Sequence, residues 1–186
     1  ILRAFAPIAK VVLWLNCDNN PELLKAFDRE VFMSIYQASL DLDRIIAPNE
    51  KIEELGSGYR IAEGPVWYRE EGHLLFSDIR NNRRMKWSAK EGISLFCQPT
   101  EEANGLTRDP QGRLVACEHA TRRVTCFEGG ESMTVVADSY GGKRLNSPND
   151  VVVDAKGRIY FTDPAFAGII DASDVEQELN GVYRVD

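Results

Sequence analysis

Three polar residues stand at the mouths of apolar segments: Glu63 before "GPVWY", Asn104 before "GLTRD" and Asn149 before "DVVVD". Their starts are separated by 104 − 63 = 41 and 149 − 104 = 45 residues. One carboxylate and two amides, if brought to one point, offer oxygen donors only. Such a set suits a hard cation such as Ca²⁺ or Mg²⁺ and offers nothing to a soft metal. Buried without partners these groups would be costly, so a metal or a dense hydrogen-bond network is expected around them. Each of them could instead be a turn residue bonding its own backbone. Their recurrence at matched positions favours a shared site. Asp150, beside Asn149, is open between turn capping and ligand contact.

Other chemistry is thinly represented. The two histidines are His73, in a turn and expected to be solvated, and His119, which follows Glu118 and could reach the same mouth. For His119, acid/base or substrate contact stands against a surface or packing role. No G-x-S-x-G elbow, GxGxxG or P-loop occurs. The cysteines (Cys17, Cys97, Cys117 and Cys126) form no CxxC pair, and the last three lie in apolar runs. They read as buried free thiols.

The elements that must position these residues fall into two zones. From Lys51 onward the apolar period is two, and short runs are separated by Gly, Asn, Asp and Pro, which predicts an all-β region. Three segments align: "EGPVWYREEGHLLFSD", "NGLTRDPQGRLVACE" and "NDVVVDAKGRIYFTD". Each is a polar residue, a strand, a turn ending in Gly72, Gly112 or Gly157, and a second strand ending in Asp78, Glu118 or Asp163. Third strands are predicted at 85–87, 124–127 and 182–185, and fourth strands at 93–97 and 134–137. A period of about 40–45 residues with four strands per unit is the pattern of a β-propeller. In that architecture the innermost strands line a central channel, so the three mouths would converge. Three units fall short of the roughly four to eight that close a propeller, so the chain is expected to be a fragment.

Before that zone, residues 1–48 are expected to form an apolar and helical segment, and 49–186 the first three blades. Asn20 can cap a helix that Pro21 and Glu22 begin, and Leu23, Phe27, Val31 and Ile35 share one face. The apolar run 4–15 is interrupted by Pro7 and Lys10 and could be the tail of a targeting segment. The chain opens on Ile1 rather than Met, so its true start is expected to be missing. The expected address is cytoplasmic, with periplasmic or secreted alternatives.

Bulk numbers bound the function. With 186 residues, 44% of them hydrophobic, a core is available, and 22 basic against 29 acidic residues gives 22 − 29 = −7. That charge argues against non-specific nucleic-acid binding. No run approaches the ~18 apolar residues of a membrane span.

The motifs "AEGPVW", "LLFSDI", "ANGLTRDPQGRLVACEH" and "LNSPNDVVVDAKGRIYFTDP" resemble the gluconolactonase/regucalcin (senescence marker protein) family of six-bladed propellers over about residues 50–186. The resemblance implies a partial six-bladed β-propeller and one divalent cation, Ca²⁺ first, with Zn²⁺, Mg²⁺ or Mn²⁺ as alternatives. It makes Glu63 and Asn149 the metal-ligand candidates. Asn104, Asn149, Asp150 and His119 are candidate substrate contacts. The implied reaction is hydrolysis of a small sugar lactone to its aldonic acid. The family's general-base Asp belongs to later blades and is expected beyond Asp186, so the isolated chain is expected to show little turnover. A phosphotriesterase-like or other lactone hydrolase, and a non-catalytic calcium-binding propeller, are the alternatives.

Overall fold

The computed structural model describes residues 53–129, 132–166 and 168–186. The expected helix within 1–48 lies outside them. The chain divides into two compact units, 1–57 and 58–186, and the second holds everything below.

Period-two patterning has produced antiparallel sheets. β1 (Ala62–Tyr68), β2 (His73–Asp78), β3 (Arg83–Ser88) and β4 (Gly92–Cys97) pair in chain order as one sheet. A second sheet repeats this with β5 (Ala103–Arg108), β6 (Leu114–Glu118), β7 (Arg123–Gly129) and β8 (Ser132–Ala137). After a two-stranded ribbon of β9 (Ser139–Tyr140) and β10 (Lys143–Arg144), a third sheet contains β11 (Val151–Val153), β12 (Ile159–Asp163) and β13 (Gly181–Val185). The meander order and the three matched units are those of propeller blades.

Apolar faces between successive sheets make the core. Val66, Tyr68 and Leu75 of the first sheet meet Leu106, Leu114 and Ala116 of the second. The opposite face of the second sheet, with Val115, Cys117, Val124 and Cys126, meets Val151 and Phe161 of the third. Alternation along each strand thus serves two neighbours at once. Cys117 and Cys126 are buried free thiols, as expected. Cys97 is only half-buried, because β4 is the outermost strand of its sheet.

Two of the inner hairpins close on the same turn. The Asp109 carboxylate accepts the N–H groups of Gln111 (3.0 Å) and Arg113 (2.8 Å) and the Arg113 Nε (2.6 Å). Asp154 repeats this with Lys156 (2.8 Å), Arg158 (3.0 Å) and Arg158 Nε (2.7 Å). An Asp side chain bonding the backbone two residues on fixes the turn before the glycine is reached. The first hairpin has Arg69 at that position and closes instead through the Gly72 N–H to the Tyr68 carbonyl, 2.8 Å. His73, expected in solvent, stacks on Tyr68 with ring centroids 4.6 Å apart. The two residues are register partners across β1 and β2, which brings the rings face to face.

The acids that end the second strands are structural. Asp78 accepts the Arg60 N–H (3.0 Å), Asn81 Nδ2 (2.8 Å) and Arg83 Nε (2.8 Å). Glu118 accepts Thr121 Oγ1 (2.5 Å), Arg123 Nε (2.7 Å) and Thr125 Oγ1 (2.8 Å). Asp163 accepts the Asn146 N–H at 2.8 Å. Each of the three is at least 96% buried, and each anchors the chain entering or leaving its sheet rather than the cleft described next.

Candidate active site

Strand register places the three mouths in equivalent positions. Glu63 faces Ser77 on β2, one step inside the Ala62–Asp78 pair. Asn104 follows Ala103, which pairs with Glu118. Asn149 donates its backbone N–H to the Thr162 carbonyl (2.8 Å), and Thr162 returns its own to Asp150 (3.0 Å). In each case the pairing slips by one residue just inside the mouth. Such a bulge turns the inner strand and re-aims its side chains.

The mouths are drawn together by backbone contact between sheets. Gly105 N–H donates to the Asn149 carbonyl at 2.8 Å, and Ser77 Oγ donates to the Asn104 carbonyl at 2.7 Å. A Cβ on Gly64, whose φ is +57°, would lie 2.2 Å from the Asn104 carbonyl oxygen. One on Gly105 would lie 2.6 Å from both the Asn149 oxygen and the Asp150 Cα. Only glycine permits backbones this close. The same position in the third unit is Asp150, with no further described sheet against it.

Asn149 is held from behind. Leu145, Asn146 and Ser147 are fully buried. Arg122 Nε binds the carbonyls of Leu145 (2.7 Å) and Asn146 (3.0 Å), and Ser147 Oγ donates to the Pro164 carbonyl. The chain therefore reaches Asn149 from a buried, hydrogen-bonded segment.

These constraints produce a cleft of about 300 Å³ lined by Glu63, Gly64, Pro65, Asn104, Leu106, Thr107, Asn149, Asp150, Val151 and Val152. Four of the five expected site residues line it. Glu63 is exposed, and its carboxylate makes no hydrogen bond or ion pair among the described residues. Asp150 caps the turn, its Oδ1 accepting the Val151 N–H at 2.9 Å, and it is also among the residues that line the cleft. Asn104 is 8% exposed and donates Nδ2 to Asn149 Oδ1 at 2.5 Å. Among the described residues no Lys, Arg or His contributes to the lining, so its two carboxylates have no compensating cation there.

His119, the fifth, is not at the surface. It is 3% exposed and lies behind Asn104, with Nε2 at 3.4 Å from Asn104 Nδ2 and the Phe166 ring edge-on at 6.4 Å. Burial, with a smaller contribution from Arg80, lowers its pKa to about 4, so the ring is neutral at physiological pH. Gly64, Gly105, Ser77 and Thr162 also build the site and are not marked by their residue types alone. The repeated glycine after Glu63 and Asn104 was the available signal for the first two.

Among the described residues no group of three or more His, Cys, Asp or Glu gathers into a metal cluster. The site's donors are instead a carboxylate and amide oxygens. That donor set, with the second uncompensated carboxylate of Asp150 beside it, fits a hard divalent cation.

Stacked antiparallel sheets whose inner strand mouths meet in an acidic cleft define a propeller-type architecture. Residues 61–186 match the family described as SMP-30/Gluconolactonase/LRE-like region, and the chain belongs to that family. It is similar to a gluconolactonase of Zymomonas mobilis subsp. mobilis, 35% identical over a 160-residue alignment that covers 77% of this chain and 45% of the relative. It is also similar to a pentonolactonase of Haloferax volcanii, 30% identical over 106 residues, 54% of this chain and 33% of that protein. A solved gluconolactonase from Xanthomonas campestris superposes with a TM-score of 0.63 at 35% identity, covering 71% of this chain and 46% of that one. The chain spans between a third and a half of the length of these relatives.

Proposed function

We propose that this chain carries part of the active site of a cation-dependent hydrolase that opens a small sugar lactone to its aldonic acid. The observation that carries the proposal is the cleft in which Glu63, Asn104, Asn149 and Asp150 meet with no basic side chain among its lining residues. Family membership and the lactonases among the relatives support the reaction class.

Glu63 and Asn149 would hold the cation, with Ca²⁺ preferred for an all-oxygen set and Mg²⁺, Mn²⁺ or Zn²⁺ as alternatives. A cation so held would polarise the lactone carbonyl and offset the negative charge that develops on its oxygen. Asn104 and Asp150 would orient the sugar hydroxyls, Asn104 through its side-chain oxygen and Asp150 through the oxygen not engaged by Val151. Pro65, Leu106, Val151 and Val152 form the apolar part of the lining and would exclude bulk water from one side of the ring. The proton acceptor for the attacking water is not assigned to these residues. On the family pattern it belongs to later blades, and the isolated 186-residue chain is accordingly proposed to turn over little substrate.

The test is calorimetric Ca²⁺ titration of this chain, wild type and Glu63→Gln, together with proton release from D-glucono-1,5-lactone, with and without a chelator, by a protein that carries these residues and the later blades. The proposal expects saturable Ca²⁺ binding that Glu63→Gln weakens and, with the later blades present, a chelator-sensitive rate. Ca²⁺ binding unchanged in the variant, or a rate of the protein with later blades indifferent to chelator, would overturn it.

A further inference from the structure

Asn104 has one nitrogen and one oxygen at the end of its side chain, and only one of them can be turned to a ligand. The structure fixes which. Asn104 Nδ2 donates to Asn149 Oδ1 at 2.5 Å and lies 3.4 Å from His119 Nε2. Both amide hydrogens are therefore directed into protein. Asn104 Oδ1 accepts no hydrogen bond among the described residues and is not among the buried polar atoms without a partner. It is the atom left to the cleft that Asn104 lines.

An amide nitrogen has hydrogens and no acceptor capacity, so His119 Nε2 must be the acceptor. The ring proton then sits on Nδ1, which is buried without a partner. We propose that His119 is a positioning residue: by accepting a hydrogen bond from Asn104 Nδ2 it fixes the orientation of the linked Asn104 and Asn149 side chains, so that Asn104 presents its oxygen to the cleft. The alternative arrangement inverts everything together. With the proton on Nε2, His119 would donate to Asn104 Oδ1, Asn104 Nδ2 would face the cleft, and Asn149 would have to turn over to avoid opposing two oxygens. The tautomer of one buried ring thus selects whether Asn104 turns its oxygen or its nitrogen to the cleft. Burial keeps the ring neutral, which the arrangement needs, since an imidazolium cannot accept. Phe166 packs edge-on against the ring, and the charge of Arg80 adds a smaller contribution against an imidazolium.

The orientation has a value to the ligand only on the reading of the site given above, so the test separates the two. Long-range ¹H–¹⁵N NMR of the full chain reports the ring tautomer without any ligand. At pH 7 the proposal expects a protonated Nδ1 and an unprotonated Nε2; an Nε2–H ring or an imidazolium would overturn it. Calcium binding and D-glucono-1,5-lactone binding are then measured for His119→Leu, which removes the acceptor, and His119→Gln, whose side-chain oxygen can restore it. Leu is expected to weaken Ca²⁺ binding about tenfold or more, as loss of a supporting hydrogen bond does at metal sites. Gln is expected to recover most of that loss, in variants whose amide spectra match wild type. Equal binding by Leu and wild type, or no recovery by Gln, counts against the proposal. If wild type binds neither Ca²⁺ nor lactone, the proposed function fails, while the tautomer still decides this inference.

Discussion

Gly105 donates its backbone N–H to the Asn149 carbonyl at 2.8 Å, joining the inner strands of two different sheets. This bond sets the distance between two of the three mouths. A Cβ at Gly105 would meet the Asn149 oxygen, the Asp150 Cα and the Asp150 Oδ1 all at 2.6 Å. Gly105→Ala should therefore cost about 1–3 kcal/mol of stability through overpacking. It should also reduce Ca²⁺ binding out of proportion to that loss, since the strands can separate only by moving Asn104 from Asn149. Chemical denaturation gives the first quantity and calorimetry the second.

Glu63 should behave in the opposite way. Its carboxylate is exposed and has no hydrogen bond or ion pair among the described residues. Glu63→Gln should leave the thermal midpoint without Ca²⁺ within the small range of surface substitutions, about ±0.5 kcal/mol. The rise in midpoint that added Ca²⁺ gives wild type should be largely absent in the variant. Thermal unfolding with a Ca²⁺ series checks both halves at once.

How far these positions were legible follows from where their information lies. Period-two patterning and the 41- and 45-residue spacings revealed the sheets and matched Glu63, Asn104 and Asn149, and the register confirms the match through Ser77 and Thr162. Such features are local to one hairpin. Non-local contact was not legible: the need for glycine at 64 and 105 arises from a neighbouring sheet, and His119 is covered by a loop containing Phe166. Tyr68 on His73 lies between these cases. Their pairing follows from the hairpin, but a histidine in a turn reads as solvated until its partner strand is placed.

Asp109 tests whether the repeated turns hold the hairpins. It is 9% exposed and its two carboxylate oxygens accept three hydrogen bonds, two from backbone N–H groups. Asp109→Ala leaves those donors unpaired and should cost about 1–3 kcal/mol. Asp154, which makes the same bonds at a more exposed turn, should lose less on the same substitution. Paired denaturant midpoints rank the two, and a larger loss at Asp154 would contradict the assignment.

His119 gives the pH dependence its sign. Its folded pKa of about 4 lies below the ordinary imidazole value of 6.5, chiefly through burial. Between those values the unfolded chain binds a proton that the folded chain refuses, so stability rises with pH across the window and is lost as pH falls from about 6.5 toward 4. A shift of that size corresponds to about 3 kcal/mol at most. Asp163, whose carboxyl is raised by burial, acts in the opposite direction nearer the carboxylate range, because there the folded chain holds the extra proton. Wild type should therefore lose stability on acidification from pH 7 to 5, while His119→Gln, which cannot titrate, should lose clearly less. Denaturant midpoints at pH 5, 6 and 7 measure the difference, and parallel slopes for the two proteins would show that His119 titrates in the folded state as it does in the unfolded chain.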